Sequence, residues 1–266
     1  MDLQLKDKRA LVTGGSRGIG RAIARQLALE GARVVITSRD AENAMRAAAQ
    51  LSTECDAHVV GLAVDTALDP AVRTLIDDVV ATLGGLDILV NAAAKPGTAP
   101  AAPGIAGVGD DAFWEDMNVK VLGYIRMTRA AAPHLTANGC GRIINISGLA
   151  ARQTGSIIGS IRNVAVSALT KNLADELGPK GVNVTVVHPG LTRTERTAGR
   201  LSEIAARDGV TVAQAEQRLG GSNAIRRIVE ASEVADIVAF LASPRSGAIT
   251  GDAIACGGGP VGAIYY

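Results

Sequence analysis

The run Thr13-Gly14-Gly15-Ser16-Arg17-Gly18-Ile19-Gly20 holds the residues whose types and spacing bear most directly on chemistry. Glycines let a backbone turn tightly and approach a phosphate closely, and a helix opening there offers unpaired N–H groups and a partial positive charge. The run follows the apolar stretch Arg9–Thr13 and leads into the amphipathic stretch Gly18–Glu30, so it lies where a strand gives way to a helix. A glycine trio alone carries little information; in this context it reads as a nucleotide-phosphate loop. The residues expected to touch the nucleotide there are Gly14, Ser16, Arg17, Gly18, Ile19 and Gly20. Metal chemistry is not expected: Cys55, Cys140 and Cys256 are far apart with no zinc-ligand spacing, and the chain has 3 histidines.

The elements that must position such a loop alternate along the chain. Strand candidates are 9–13, 33–37, 58–64, 87–91, 141–146, 182–188 and 253–256; helical patterns cover 18–30, 41–51, 70–83, 111–137, 164–177 and 233–241. Strand–helix repetition with apolar strands implies a parallel sheet with helices on both faces, because the crossovers are right-handed. The fold class is therefore α/β, a doubly wound Rossmann-like sheet of about seven strands, in one domain spanning 1–266. Two segments break the alternation: the proline- and glycine-rich stretch 96–109, and residues 193–227, which contain polar helical pieces. Both leave from the carboxyl ends of strands, where open α/β sheets bind ligands, so 193–227 is expected to form a substrate lid. Its arginines 200, 207, 218 and 226 read either as a solvated face or as a steering field for an anionic substrate.

Composition removes several function classes. Residues of hydrophobic type make up 47% of the 266, enough for a sizeable core. A net charge of +1 gives no long-range attraction for nucleic acid or anionic membrane. Two Phe, one Trp and three Tyr provide no platform for stacking single-stranded bases. The N-terminal MDLQLKDKRA has no apolar signal core, and no run approaches the ~20 apolar residues of a membrane span. A cytoplasmic protein acting on a small molecule, with reduced thiols, is the expectation.

TGGSRGIG resembles the TGxxxGxG loop of the short-chain dehydrogenase/reductase family, and further motifs follow that family in order from residue 5 to about 260. Asp65 falls at the family's adenine-contacting aspartate, and Asn91-Ala92-Ala93 is similar to its NAG turn. Asn118 is placed at the active-site asparagine of the central helix, and Ser147 at the catalytic serine. Pro189-Gly190 with Thr194 resembles the loop that touches the nicotinamide amide, and Ile249-Thr250-Gly251 with Gly257-Gly258 resembles the C-terminal ITG…GG. The resemblance implies a dinucleotide cofactor, hydride transfer, and a homodimer or homotetramer. Choice of dinucleotide rests on the end of the second strand, where a carboxylate selects NAD and a basic residue accepts the 2′-phosphate of NADP. Here Ser38 is followed by Arg39, and Arg17 adds a second cation, so NADP is expected, with NAD possible.

The resemblance fails at the centre of the chemistry. The family uses a tyrosine as proton donor and, four residues on, a lysine that lowers the tyrosine's pKa and holds the ribose. Aligned on Ala165-Val166-Ser167-Ala168-Leu169-Thr170-Lys171, those positions hold Gly159 and Asn163. Tyr124, Tyr265 and Tyr266 are the chain's tyrosines; Tyr124 is expected to be a packing residue. Ser160 and Arg162 are the nearest polar substitutes, although an arginine is a poor proton donor. Ser147, Asn118, Arg162, Asn163 and Ser160 are accordingly the candidate catalytic residues. Two readings remain open: an NADP(H)-dependent oxidoreductase acting on a carbonyl, alcohol or enone through an altered proton relay, and a nucleotide-binding member without redox chemistry, such as a lyase, hydratase or binding module.

Overall fold

Strands β1 (Arg9–Val12), β2 (Arg33–Ser38), β4 (Ile88–Asn91) and β5 (Arg142–Ile146) consist almost wholly of buried side chains, so the sheet they form needs cover on both faces. With β3 (Val59–Ala63), β6 (Asn183–Pro189) and β9 (Ala253–Cys256) they make a seven-stranded sheet in the order β3-β2-β1-β4-β5-β6-β9, parallel throughout. This is the doubly wound Rossmann-like sheet that the alternation implies. The computed structural model describes residues 1–95 and 104–262.

Side-chain alternation sorts each strand between two cores. Ala10, Val12, Ile88 and Val90 face one layer, made by α1 (Gly18–Leu29), α2 (Ala41–Cys55) and α9 (Ala231–Ala242). Leu11 and Leu89 face the other, made by α3 (Asp69–Leu83), α5 (Gly123–Thr136) and α6 (Ile157–Leu177). The sequence pattern 111–137 is not one helix. Helix α4 (Asp110–Met117) and α5 are joined by a wide π turn over Asn118–Leu122, and Val119, Lys120 and Val121 are consecutively buried in it. Such turns recur at functional sites.

Two further differences from the sequence reading have local causes. Helix α6 starts at Ile157 rather than 164, because Ser156 caps it by accepting the Gly159 amide at 3.1 Å. Residues 193–227 contain α7 (Thr197–Asp208) and α8 (Val212–Gly220), with two short strands, β7 (Thr192–Arg193) and β8 (Val229–Glu230), paired at their base. These helices have a small core of their own, built from Leu201, Ala205, Ala215 and Ile228. Arg200, Arg207, Arg218 and Arg226 are exposed, as on a solvated face. The part of the loop 96–109 that is described, Gly104–Gly107, is a single 3₁₀ turn; positions 96–103 and Tyr265 and Tyr266 lie outside the described residues. Among the described residues no helix is long and apolar enough to cross a membrane, and no cluster of His, Cys, Asp and Glu could hold a metal ion.

Tyr124 is a packing residue. It is 1% exposed, and its hydroxyl donates to the Ile146 carbonyl at 2.9 Å, fastening α5 to the end of β5. Burial alone raises its pKa, so the phenol stays protonated. Tyr124→Phe leaves that carbonyl without its partner and should lower unfolding free energy by about 1–3 kcal/mol in urea melts.

Candidate active site

A cleft of about 720 Å³ opens where the strand order reverses, between β1 and β4. Its lining residues follow directly on strand ends: Gly14 after β1, Ser38 and Arg39 at the end of β2, Thr66 after β3, Ala92 after β4, Ser147 after β5. Thr13 sets the middle of this edge. Its Oγ1 accepts the amides of Ala92 and Ala93 at 3.0 and 3.1 Å, lashing the turn after β4 to the glycine loop after β1.

Gly14, Ser16, Arg17, Gly18, Ile19 and Gly20 all line the cleft. Two of these glycines are required by the geometry. Gly14 has φ +66°, and a Cβ there would stand 3.0 Å from the Ala93 Cα; a Cβ on Gly20 would stand 2.4 Å from the Gly14 carbonyl oxygen. Among the described residues no N-cap side chain caps α1. Instead the Gly18 amide donates to the carboxylate of Glu195, at 3.0 and 3.3 Å, so an anion of the chain itself sits at the helix start. The loop thus has the space and the charge preference that a pyrophosphate requires.

Beside it, Arg17, Arg39 and Arg196 crowd one end of the cleft, with Ser38, Asn43 and Arg46 also in the wall. Burial, then the charges of Arg196 and Arg39, depress the Arg17 pKa, against the pull of Glu195. A cluster of cations that repel one another favours an incoming anion. Thr194 lines the cleft near Gly18, whereas Pro189 and Gly190 do not; the Gly190 amide donates to Cys256 O at 3.2 Å. Asp65 and Asn91 also stand outside the lining. The Asp65 carboxylate accepts the Ala67 amide at 2.9 Å, and the buried Asn91 donates to Asn145 Oδ1 at 2.9 Å, tying β4 to β5.

At the opposite end the polar residues are arranged differently from the expectation. Ser147 lines the cleft, its Oγ donating to the Asn163 carbonyl at 3.1 Å. Asn118 does not line it; its carbonyl accepts from Arg126 at 3.2 Å. The central-helix residue that enters is Lys120, two positions on in the wide turn. Lys120 is 3% exposed, and its Nζ donates to Asn163 Oδ1 at 3.0 Å and to Ser147 O at 3.1 Å. Arg162 is withdrawn from the cleft into an ion pair, with Nη1 at 2.6 and 2.7 Å from the Asp116 carboxylate, and its buried Nε has no partner among the described residues. Ser160 is withdrawn too: its hydroxyl donates to Gln153 O at 2.9 Å.

Among the described residues, Lys120 therefore has two neutral acceptors and no carboxylate in contact. Burial, then the charge of Arg162, lowers its pKa to about 7, with Asp116 opposing. Burial, and the charges of Arg152 and Lys120, lower His188 to about 4, so that imidazole is neutral. Sequence reasoning missed Lys120, although a signal was present: one lysine among Val119, Val121 and Leu122, on a helix read as central and buried.

A family model described as enoyl-(acyl carrier protein) reductase matches residues 14–260. The short-chain reductase protein NovJ of Streptomyces niveus is 33% identical over 94% of this chain and 92% of its own length. The chain belongs to the short-chain dehydrogenase/reductase family of oxidoreductases. Dehydrogenase/reductase SDR family member 4 of Sus scrofa is also 33% identical, over 96% of this chain and 88% of its own. Among solved structures, L-sorbose reductase of Gluconobacter frateurii, complexed with NADPH and L-sorbose, superposes with a TM-score of 0.91 at 28% identity, covering 99% of this chain and 100% of that one.

This short-chain dehydrogenase/reductase should carry a thermodynamic signature of its buried lysine. Between the folded pKa of about 7 and the ordinary value of 10.5, the unfolded chain binds one proton more than the folded one. The penalty is fully present below about 7 and disappears as pH rises through that window, at up to about 1.4 kcal/mol per pH unit. Lys120→Met should lack this slope, so the difference between wild-type and variant melts recorded across pH 7–10 should display it.

Proposed function

We propose that the protein is an NADP(H)-dependent oxidoreductase acting on a carbonyl, alcohol or enone carbon. The observation that carries this reading is one continuous cleft, with the clustered Arg17, Arg39 and Arg196 at the end beyond the glycine loop and Ser147 at the other. The NADPH held by the similar L-sorbose reductase supports the choice of dinucleotide, as does Ser38 where NAD would call for a carboxylate.

The loop Gly14–Gly20 binds the pyrophosphate with its backbone amides, taking the place of the Glu195 carboxylate. Arg17 and Arg39, with Ser38, hold the 2′-phosphate. Ala92 and Thr194 line the cofactor's path, and Asp65, Asn91, Pro189 and Gly190 shape the surrounding turns. NADP(H) supplies or accepts the hydride. Ser147 turns its hydroxyl from the Asn163 carbonyl to the substrate oxygen, donating a hydrogen bond that stabilises charge as it grows there. Helices α7 and α8 form the substrate lid over residues 193–227, closing the domain that spans the whole chain. We place the protein in the cytoplasm as a homodimer or homotetramer; a monomeric mass in light scattering would discard the assembly.

Gly159 favours a second reading, in which nucleotide binds but no hydride moves, since glycine cannot deliver a proton. NADPH deuterated at the transferable position, mixed with the protein and a pool of ketones, enones and quinones, separates the two. Deuterium in a product is the expected result; bound nucleotide with none transferred would leave the binding module standing. The double variant Arg17→Ser with Arg39→Ser should weaken NADPH by about 10–100-fold while leaving NADH within a few fold, measured by nucleotide fluorescence.

A further inference from the structure

We propose that Lys120 is the proton donor to the substrate oxygen, its amine fixed by Asn163 Oδ1 and the Ser147 carbonyl with one further valence facing the cleft. The inference rests on the oxidoreductase reading above and supplies the acid that Gly159 lacks.

The geometry is that of a group that can titrate without losing its anchorage. Both neighbours of Nζ within hydrogen-bond distance are oxygens that accept, at 3.0 and 3.1 Å. An ammonium has three N–H donors, so those two bonds leave one unassigned, on a side chain that lines the cleft. A neutral amine still fills both bonds with its two N–H groups and turns a lone pair to the same place. The cleft-facing position therefore alternates between donor and acceptor while the nitrogen stays put.

Lys120 also stands beside Ser147, whose backbone carbonyl it holds, so one substrate oxygen can meet the serine hydroxyl and the lysine together. As the carbonyl carbon takes up hydride, the oxygen takes a proton from Nζ: an O–H bond forms, an N–H bond breaks, and the amine left behind is reprotonated from water. In oxidation the amine accepts the alcohol proton. The charged and titratable groups facing Lys120 are Asp116 from α4, Arg162 from α6 and His188 from β6. Arg162 and Asp116 neutralise one another as a pair, and His188 is neutral, which leaves a nitrogen that changes charge near physiological pH.

This arrangement also revises what would restore a conventional site. Gly159→Tyr with Asn163→Lys would set a second ammonium where Lys120 finds its acceptor, and the tyrosine Cβ would meet the capping Ser156 Oγ at 2.7 Å.

The test uses the full chain, with Lys120→Met and Lys120→Arg. Lysine side-chain NMR, with the Lys120 signal assigned by its loss in the methionine variant, should give a midpoint near neutral pH that moves when NADPH alone is added. Using a carbonyl found by deuterium transfer, kcat/KM for reduction by wild type should fall as pH rises past that midpoint. Lys120→Met should lose about 10²–10⁴-fold in kcat/KM while binding NADPH as before. Lys120→Arg should stay equally slow, because a guanidinium keeps the charge but holds its proton. An arginine variant with full activity would make Lys120 a fixed charge and overturn the proposal. A methionine variant matching wild type at every pH would overturn it while leaving the oxidoreductase reading intact. Wild type that binds NADPH but transfers no deuterium would bring down both.

Discussion

Burial of the central strands on both faces is the constraint from which the rest of this molecule follows. Residues such as Leu11, Val35, Leu89 and Ile143 are fully enclosed, so each strand must be followed by a helix that covers it before the chain can return parallel. Right-handed crossovers then bring every strand's carboxyl end to one edge of the sheet. The cleft is a consequence of that rule: β1 leads outward to β2 and β3, the chain comes back at β4, and the helices on either side diverge. Thr13, holding two amides of the facing turn, keeps the gap at a fixed width.

Charge along that cleft is distributed in two unlike ways. Arg17, Arg39 and Arg196 are exposed guanidiniums whose mutual repulsion is relieved when an anion arrives. Lys120 is enclosed, bonded to neutral oxygens and short of a countercharge. Enclosure of an ammonium destabilises its charged form, so this nitrogen sits at the balance point between two protonation states rather than acting as a permanent cation. One end of the cleft is suited to holding and the other to exchange, and the difference comes from burial rather than residue class.

The glycine loop, the strand–helix alternation and the basic end of β2 were legible because each depends on local residue type: glycine for a positive φ, aliphatic runs for buried strands, Ser38-Arg39 for the absent carboxylate. Cleft residues Ser147 and Thr194 were found through the family resemblance of the motifs that hold them. Arg162 and Ser160 were misread because nearness in sequence to Gly159 says nothing about a partner elsewhere; Asp116 and the Gln153 carbonyl hold them away. The α4–α5 break was invisible because the π turn over Asn118–Leu122 holds neither proline nor glycine to mark it. The wider turn shifts the phase of the helix, so the side chain delivered to the cleft is Lys120 and not Asn118.

The loss of a lysine from one helix need not remove an amine from the pocket. Asn163 on α6 and Lys120 in the turn before α5 face each other across 3.0 Å, so either position can deliver a nitrogen to nearly the same volume. With an asparagine on α6, the amide becomes the acceptor that orients the amine, and the Ser147 carbonyl becomes the second. Gly159 lies outside the cleft lining, and the proposed proton donor stands in the turn before α5 instead of on α6. What changes between the two arrangements is the chemistry of the donor: a phenol needs a nearby cation to lower its pKa into a useful range, whereas the buried amine reaches that range chiefly through desolvation, helped by the charge of Arg162.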